Sequence, residues 1–286
     1  MSRTLVILNP AARSEKAAGL YRSIREIVGS EAVLRRTSKP GEARALARQG
    51  VEEGFERIVV AGGDGTVNDV VNGIAHSTVT LGILPLGTMN VFAAELGLPK
   101  SVQECWKVIQ AGKTRVIDLP QAGDHAFVQM AGVGFDAQAL KETSWESKRN
   151  LGPLSYVISA AQIAARKPPL LLVQTGGAFR EGSFVLIGNG RYYGGPFPFF
   201  PNARIDDGLL DVIVFKNQGH LDLVRYLQGV LFGTHLGMND VEYFQTPCLT
   251  VTSEQDVPVE VDGEVIGNTP VTFKCAARQL RVLAPE

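Results

Sequence analysis

A short apolar run, RIVVAG, stops at Gly62-Gly63-Asp64-Gly65-Thr66, and a helical pattern, TVNDVVNGIA, starts at once behind it. Nothing else in the chain restricts the fold as strongly. A continuous apolar run is the mark of a strand buried on both faces, and a tight turn from such a strand into a helix is a unit of an α/β layer. The neighbouring segments repeat the theme. TLVIL reads as a strand, residues 15–28 place Ala18, Tyr21, Ile24 (or Arg25) and Val28 at helical spacing, AVLRRT is a second strand, and PGEARALARQGVEEG is a helix opened by Pro40. LGILPLG and SVQECWKVIQAG supply one more strand and helix. This alternation predicts a mostly parallel sheet with helices on both faces.

The glycine turn also carries chemistry. Backbone stripped of side chains lets a phosphate approach closely, and the helix that follows brings partial positive charge to the same point. Asp64 adds a carboxylate suited to Mg²⁺ or to a hydroxyl about to be phosphorylated. As an exposed loop group it is expected to contribute little to packing. Thr66 is placed to cap the helix, with Asp69 as its capping-box partner. The turn is neither a Walker A loop nor GxGxxG. A plain strand–helix turn is the bland alternative, and it needs fewer glycines. A second glycine turn, Gly87-Thr88-Met89-Asn90, follows after one helix and one strand. In a parallel sheet both turns, with Asn9-Pro10 after the first strand, line one crevice at the carboxyl edge. Three such loops on one edge are the expected cradle of a nucleotide.

Beyond Leu119 the pattern changes to short β-type runs separated by Gly, Pro, Asn and Asp, interrupted by helices at 152–166 and 220–232. Such spacing favours a sandwich or barrel-like second domain. Net charge is −1, which excludes the global basic field of a nucleic-acid binder. The three cysteines are far apart and the four histidines scattered, so no zinc cluster is expected and the thiols suit a reducing cytoplasm. TLVIL is shorter than a signal h-region, and the apolar stretch 154–165 falls short of the ~18 residues that argue a spanning helix.

The motifs taken together resemble one family. Asn9-Pro10, GGDGT with Asn68, LPLGTMNVFA, AGVGFDA at 131–137, GNGRYYGG at 188–195, PNARIDDGLLDV at 201–212 and VDGE at 261–264 stand in the order of the bacterial soluble diacylglycerol-kinase-like lipid kinases, across almost the whole chain. GGDGT alone is shared with sphingosine, ceramide and NAD kinases. The resemblance implies an NAD-kinase-like α/β domain over 1–119 and a β-sandwich-like domain over 120–286, with a C-terminal tail able to return to the first. It also implies ATP contacts at Thr37, Gly62, Gly63, Asp64, Gly65, Thr66, Val67, Asn68 and Thr88, to which the shared carboxyl edge adds Asn9, Pro10, Gly87 and Asn90 as expected nucleotide contacts. By the same resemblance Glu264 is the general base, assisted by Asp64. A structural Mg²⁺ is implied at the Asp207 carboxylate with the carbonyls of Arg204 and Leu209.

Read without the family, VDGEV is an ordinary hairpin with a solvated Glu264, and Asp206-Asp207 a solvated acidic pair. Two positions depart from the family pattern: Arg13 replaces a common glycine, and Val91 a common aspartate. The expected activity is ATP- and Mg²⁺-dependent phosphorylation of the free hydroxyl of a membrane lipid: diacylglycerol, ceramide or a sphingoid base, or a phosphatidylglycerol-type lipid. An NAD kinase-type phosphotransferase and a non-catalytic lipid-binding regulator are the rivals. The expected location is cytoplasmic with peripheral membrane contact, no nucleic acid is expected, and the oligomeric state, a homo-oligomer included, stays open. In GGPFPFFP, the rings of Phe197, Phe199 and Phe200 are the expected membrane foothold if exposed, and core under a loop if buried.

Overall fold

The computed structural model describes residues 3–12, 17–135, 137–138 and 167–285. Arg13 and the helix expected at 152–166 lie outside them. The chain divides into two compact units, Met1–Leu119 with Ala277–Glu286, and Pro120–Ala276.

The first unit is an α/β layer. In chain order it contains β1 (Thr4–Leu8), α1 (Ala17–Val28), β2 (Ala32–Arg36), α2 (Glu42–Glu52), β3 (Arg57–Gly62), α3 (Asp64–Ile74), β4 (Thr80–Pro85), α4 (Val91–Glu95), α5 (Val102–Ala111) and the start of β5 (Thr114–Ala122). The strands run β2-β1-β3-β4, all parallel, and Arg281 and Val282 of the last strand extend the sheet in parallel beside Thr80 and Leu81. All of β1 and β4 is buried, which is why their sequences are continuous apolar runs rather than alternating ones. Val6, Leu8, Val59 and Ala61 pack with Ile24 and Val28 of α1 and with Trp106 and Ile109 of α5. On the opposite face, Gly50 of α2 lies so close to Leu5 and Ile58 that an added Cβ would come within 2.7 Å of the Leu5 side chain. Helix α2 starts at Glu42, not at Pro40: Gly41 takes a left-handed conformation (φ 75°), and the Glu42 carboxylate accepts the Ser38 N–H.

The second unit is a β-sandwich. Its strands are the end of β5, β6 (His125–Ala126), β7 (Met130–Val133), β8 (Leu171–Thr175), β9 (Ala178–Gly182), β10 (Phe184–Gly188), β11 (Leu210–Phe215), β12 (Val241–Thr246), β13 (Cys248–Thr252), β14 (Pro258–Val261), β15 (Glu264–Asn268) and most of β16 (Val271–Leu283), with helix α6 (His220–Phe232) between β11 and β12. One antiparallel sheet runs β12-β11-β10-β7-β14-β15; the other layer runs β9-β8-β13-β16. Val185, Ile187, Val212 and Val259 from the first layer meet Leu171, Val173, Leu249 and Phe273 from the second. The alternate residues of the same strands, Phe184, Leu186, Ile213 and Phe215, face outward against Tyr226 of α6 and against Phe200. PVTFKC and QLRVLAP belong to one strand, which passes through Arg278 at φ 52°. Of the two alternatives left open for the aromatic loop, the buried one holds for two of the rings: Phe200 is fully buried against Gly188, and Phe199, half-buried, packs with Tyr193 and His235. Phe197 is half-buried.

Candidate functional site

In the first unit the two glycine turns meet. A Cβ on Gly63 would lie 3.2 Å from the Gly87 Cα, and one on Gly87 would lie 2.7 Å from the Gly63 Cα. Gly63 has φ −94°, so glycine is required there by space and not by a left-handed backbone. Asn90, itself left-handed at φ 49°, closes the second turn: its Oδ1 accepts the Gly87 N–H at 2.8 Å and its Nδ2 donates to the Gly87 carbonyl at 2.7 Å. Asn9 Nδ2 donates to Thr66 Oγ1 at 2.9 Å, which ties the end of β1 to the first turn of α3.

Helix α3 begins at Asp64 with Gly63 as its N-cap and no side-chain cap. Thr66 therefore stands inside the first turn, its N–H donating to the Gly63 carbonyl; the capping box expected at Thr66 and Asp69 does not form. Gly65 is exposed, with nothing within 4 Å of where its Cβ would be. An uncapped helix start with room beside Gly65 fits a phosphate group. Asp64 is half-buried and not a free loop carboxylate. Its carboxyl lies near the backbone N–H groups of Phe92, Val91 and Asn90 at the start of α4, which favour its charged form. Burial pushes its carboxyl above the usual range, against the lowering effect of those N–H groups. Val91 is buried and takes part only through its N–H. Of the remaining implied contacts, Thr88 is exposed and Pro10 half-buried at this edge, whereas Thr37, Val67 and Asn68 are buried.

In the second unit the VDGE segment is a two-residue hairpin. Asp262 and Gly263 both have positive φ, 46° and 85°, and Val261 pairs with Glu264 across the turn, the pattern of a type I′ connection. A buried polar network holds it. The Asp262 carboxylate accepts the N–H groups of Val128, Gln129 and Met130 at 2.8–3.0 Å. Glu260, 1% exposed, accepts the Gly263 N–H at 2.8 Å and the Tyr193 hydroxyl at 2.8 Å. Asn189 donates to the Val128 carbonyl at 2.8 Å. Glu264 is exposed at the tip of this anchored turn. Sequence reasoning missed Glu260 and Asp262; the available signal was an acid in VPVEV, a run whose other members are core.

At the proposed cation segment, Asp207 Oδ1 accepts the Leu209 N–H at 3.0 Å, and Arg204 is paired with Asp206 at 3.7 Å. Asp211 is buried, and its carboxyl is raised by burial and further by the charge of Asp207, opposed by bonds from Tyr243 and Gln245. No cluster of three or more His, Cys, Asp or Glu forms a metal site among the described residues. One carboxylate with two backbone carbonyls is nevertheless an oxygen donor set of the kind a hard cation takes.

Residues 3–122 match the family described as "Diacylglycerol kinase catalytic domain", and residues 129–284 the family described as "YegS C-terminal NAD kinase beta sandwich-like domain". The protein named "Diacylglycerol kinase" of Staphylococcus carnosus is 27% identical over 99% of this chain and 95% of its own length. The protein named "Probable lipid kinase YegS-like" of Chromohalobacter salexigens is 35% identical over 82% of this chain and 78% of its own length. The crystal structure of a diacylglycerol kinase from Bacillus anthracis superposes with a TM-score of 0.82 at 25% identity, covering 99% of this chain and 97% of that one.

Proposed function

This chain belongs to the family of diacylglycerol kinases and YegS-like lipid kinases and is itself a lipid kinase, and on that premise we propose that it phosphorylates the free hydroxyl of a membrane lipid, diacylglycerol first among the candidates, using ATP and Mg²⁺. The observation that carries the reading is the contact between the two glycine turns, with an uncapped helix start and an exposed Gly65 beside it. Bound ATP with Mg²⁺ would supply the phosphoryl group and offset its charge.

The chain's own residues do the rest. N–H groups of residues 63–65 bind phosphate oxygens. Asp64 positions the second turn by holding the start of α4, and through that turn it fixes Thr88 and Asn90. Glu264 accepts the proton of the acceptor hydroxyl as general base; an exposed carboxylate on a turn anchored by Asp262 and Glu260 suits that role. Asp207, with the carbonyls of Arg204 and Leu209, would hold a structural Mg²⁺ that pins its loop. The enzyme works at a membrane surface, to which it docks reversibly. Transfer of labelled γ-phosphate from ATP into a total lipid extract tests the reading: a labelled product extractable as a phosphorylated lipid is expected, and label found only in a water-soluble acceptor contradicts it.

A further inference from the structure

Helix α6 (His220–Phe232) is apolar on the side that faces solvent. Its inner face is buried through Tyr226, Gly229 and Val230. On the outside Leu221 is 86% exposed, Val224 55%, Leu227 47%, Leu231 60% and Phe232 80%. At 3.6 residues per turn these five, together with the exposed His220 and Gln228, fall within an arc of about 140°. No Asp, Glu, Lys or Arg lies in that arc. The helix's charged pair lies outside the arc, Arg225 just past Phe232 and Asp222 further round, and is already engaged: Arg225 bridges Asp222 and Asp240.

A helix that is apolar all round is normally buried, in a core or in lipid. Five large contiguous apolar side chains on a solvent face mark an interaction site. We propose that α6 is the membrane-docking element of this protein, lying in the plane of the bilayer interface with Leu221, Val224, Leu227, Leu231 and Phe232 sunk among the acyl chains. This rests on the reading of the chain as a lipid kinase, and that reading selects the occupant. The acceptor is held in a bilayer, no described helix is long and apolar enough to cross one, and in the aromatic loop Phe200 is buried and Phe199 packs inward. With 13 residues α6 is about 20 Å long, too short to span and suited to lie flat. It is held to the body of its unit by the Arg225–Asp240 pair, by the Tyr226 hydroxyl donating to Asp240 at 2.7 Å, and by Tyr226 packing on Phe184 and Phe215. Burying the outer face therefore requires no rearrangement of the inner one. Because the arc lacks formal charge, attachment should depend on apolar insertion more than on attraction to anionic headgroups, and added salt should weaken it little.

The test is flotation of the intact protein with phosphatidylethanolamine/phosphatidylglycerol vesicles containing dioleoylglycerol, comparing wild type with the triple variant Leu227→Ser, Leu231→Ser, Phe232→Ser. The expected result is a loss of vesicle partitioning of about ten-fold or more, with wild-type binding nearly constant between about 0.1 and 0.5 M salt. The KM for lipid in vesicles should rise, while kcat for a dispersed short-chain diacylglycerol should hold. Equal flotation of variant and wild type would overturn the proposal. So would a wild type that ignores vesicles and whose oligomeric state collapses in the variant, which would assign the face to a second copy of the chain. Should the triple variant not melt cooperatively, Leu231→Trp decides: its fluorescence should shift to the blue on vesicles and be quenched by brominated lipid, and no change would contradict insertion. A wild type that docks through α6 yet phosphorylates no lipid would sink the kinase reading and leave the docking intact.

Discussion

Asp64 shows how one residue's environment changes what it can be asked to do. In sequence it is a carboxylate among glycines; in the structure it is half-buried and lies near the N–H groups that start α4. Removing it should therefore cost stability as well as activity. Asp64→Ala is expected to lower stability by about 1–3 kcal/mol, since buried N–H groups lose their acceptor, whereas Asp64→Asn keeps an acceptor oxygen and should lose much less. Thermal melts of the two variants beside wild type check this; equal Tm values for all three would mean that the contact is not a support. At Gly63 the constraint is the Gly87 backbone 3.2 Å from a would-be Cβ. Gly63→Val should push the turns apart and weaken ATP binding by at least about ten-fold, measured by calorimetry on a protein that still melts cooperatively. Unchanged affinity would remove the turns from the nucleotide site.

At the scale of elements, the alternation read from the sequence of the first unit is present as β1, α1, β2, α2, β3, α3, β4 and α5, and the helix read at 220–232 is α6. What sequence reasoning missed has a physical pattern. TRVIDLPQA, AFREG and VEYFQT form β5, β9 and β12, yet each mixes charged or polar residues into the strand. In β9 only Gly182 is buried. Their strand state comes from pairing with neighbours, which local sequence does not report. Helix starts were also misplaced, at Pro40 and Thr66, because glycine rather than a capping side chain precedes each helix. Helix α6 offers a pH test. The Arg225 guanidinium, aided by the Tyr226 hydroxyl and the Asn217 amide, holds the Asp240 carboxyl well below the usual range. A depressed folded pKa contributes stability that is present above the unfolded value near 4 and is lost as pH falls through the folded one. The Tm gap between wild type and Asp240→Asn should thus be full at pH 6–7 and shrink on acidification below about 4; a gap that widens there would contradict the pairing. At the Asp207 segment, Asp207→Ala is expected to lower Tm and bound Mg²⁺ together, read by melting and metal analysis. Lost activity with both unchanged would show that the segment holds no structural cation.

For the whole molecule, the α/β layer followed by a sandwich was legible from the change in periodicity near Leu119, and the family from motifs spread along the chain. The supports of the VDGE turn were not. Asp262 reaches the N–H groups of residues 128–130, more than 130 positions away in sequence, and no local pattern announces such a partner. The same holds for Tyr193 and Glu260. Phosphoryl transfer to a lipid hydroxyl with Glu264 as base is open to a direct experiment. Wild type and Glu264→Gln are incubated with γ-labelled ATP, Mg²⁺ and vesicles containing dioleoylglycerol, and the lipid phase is resolved. Wild type should produce labelled phosphatidic acid, and the variant, with its fold and ATP affinity retained, should produce it at least about 10²-fold more slowly. An unlabelled lipid phase with wild type, or equal rates for the two proteins, would contradict the account.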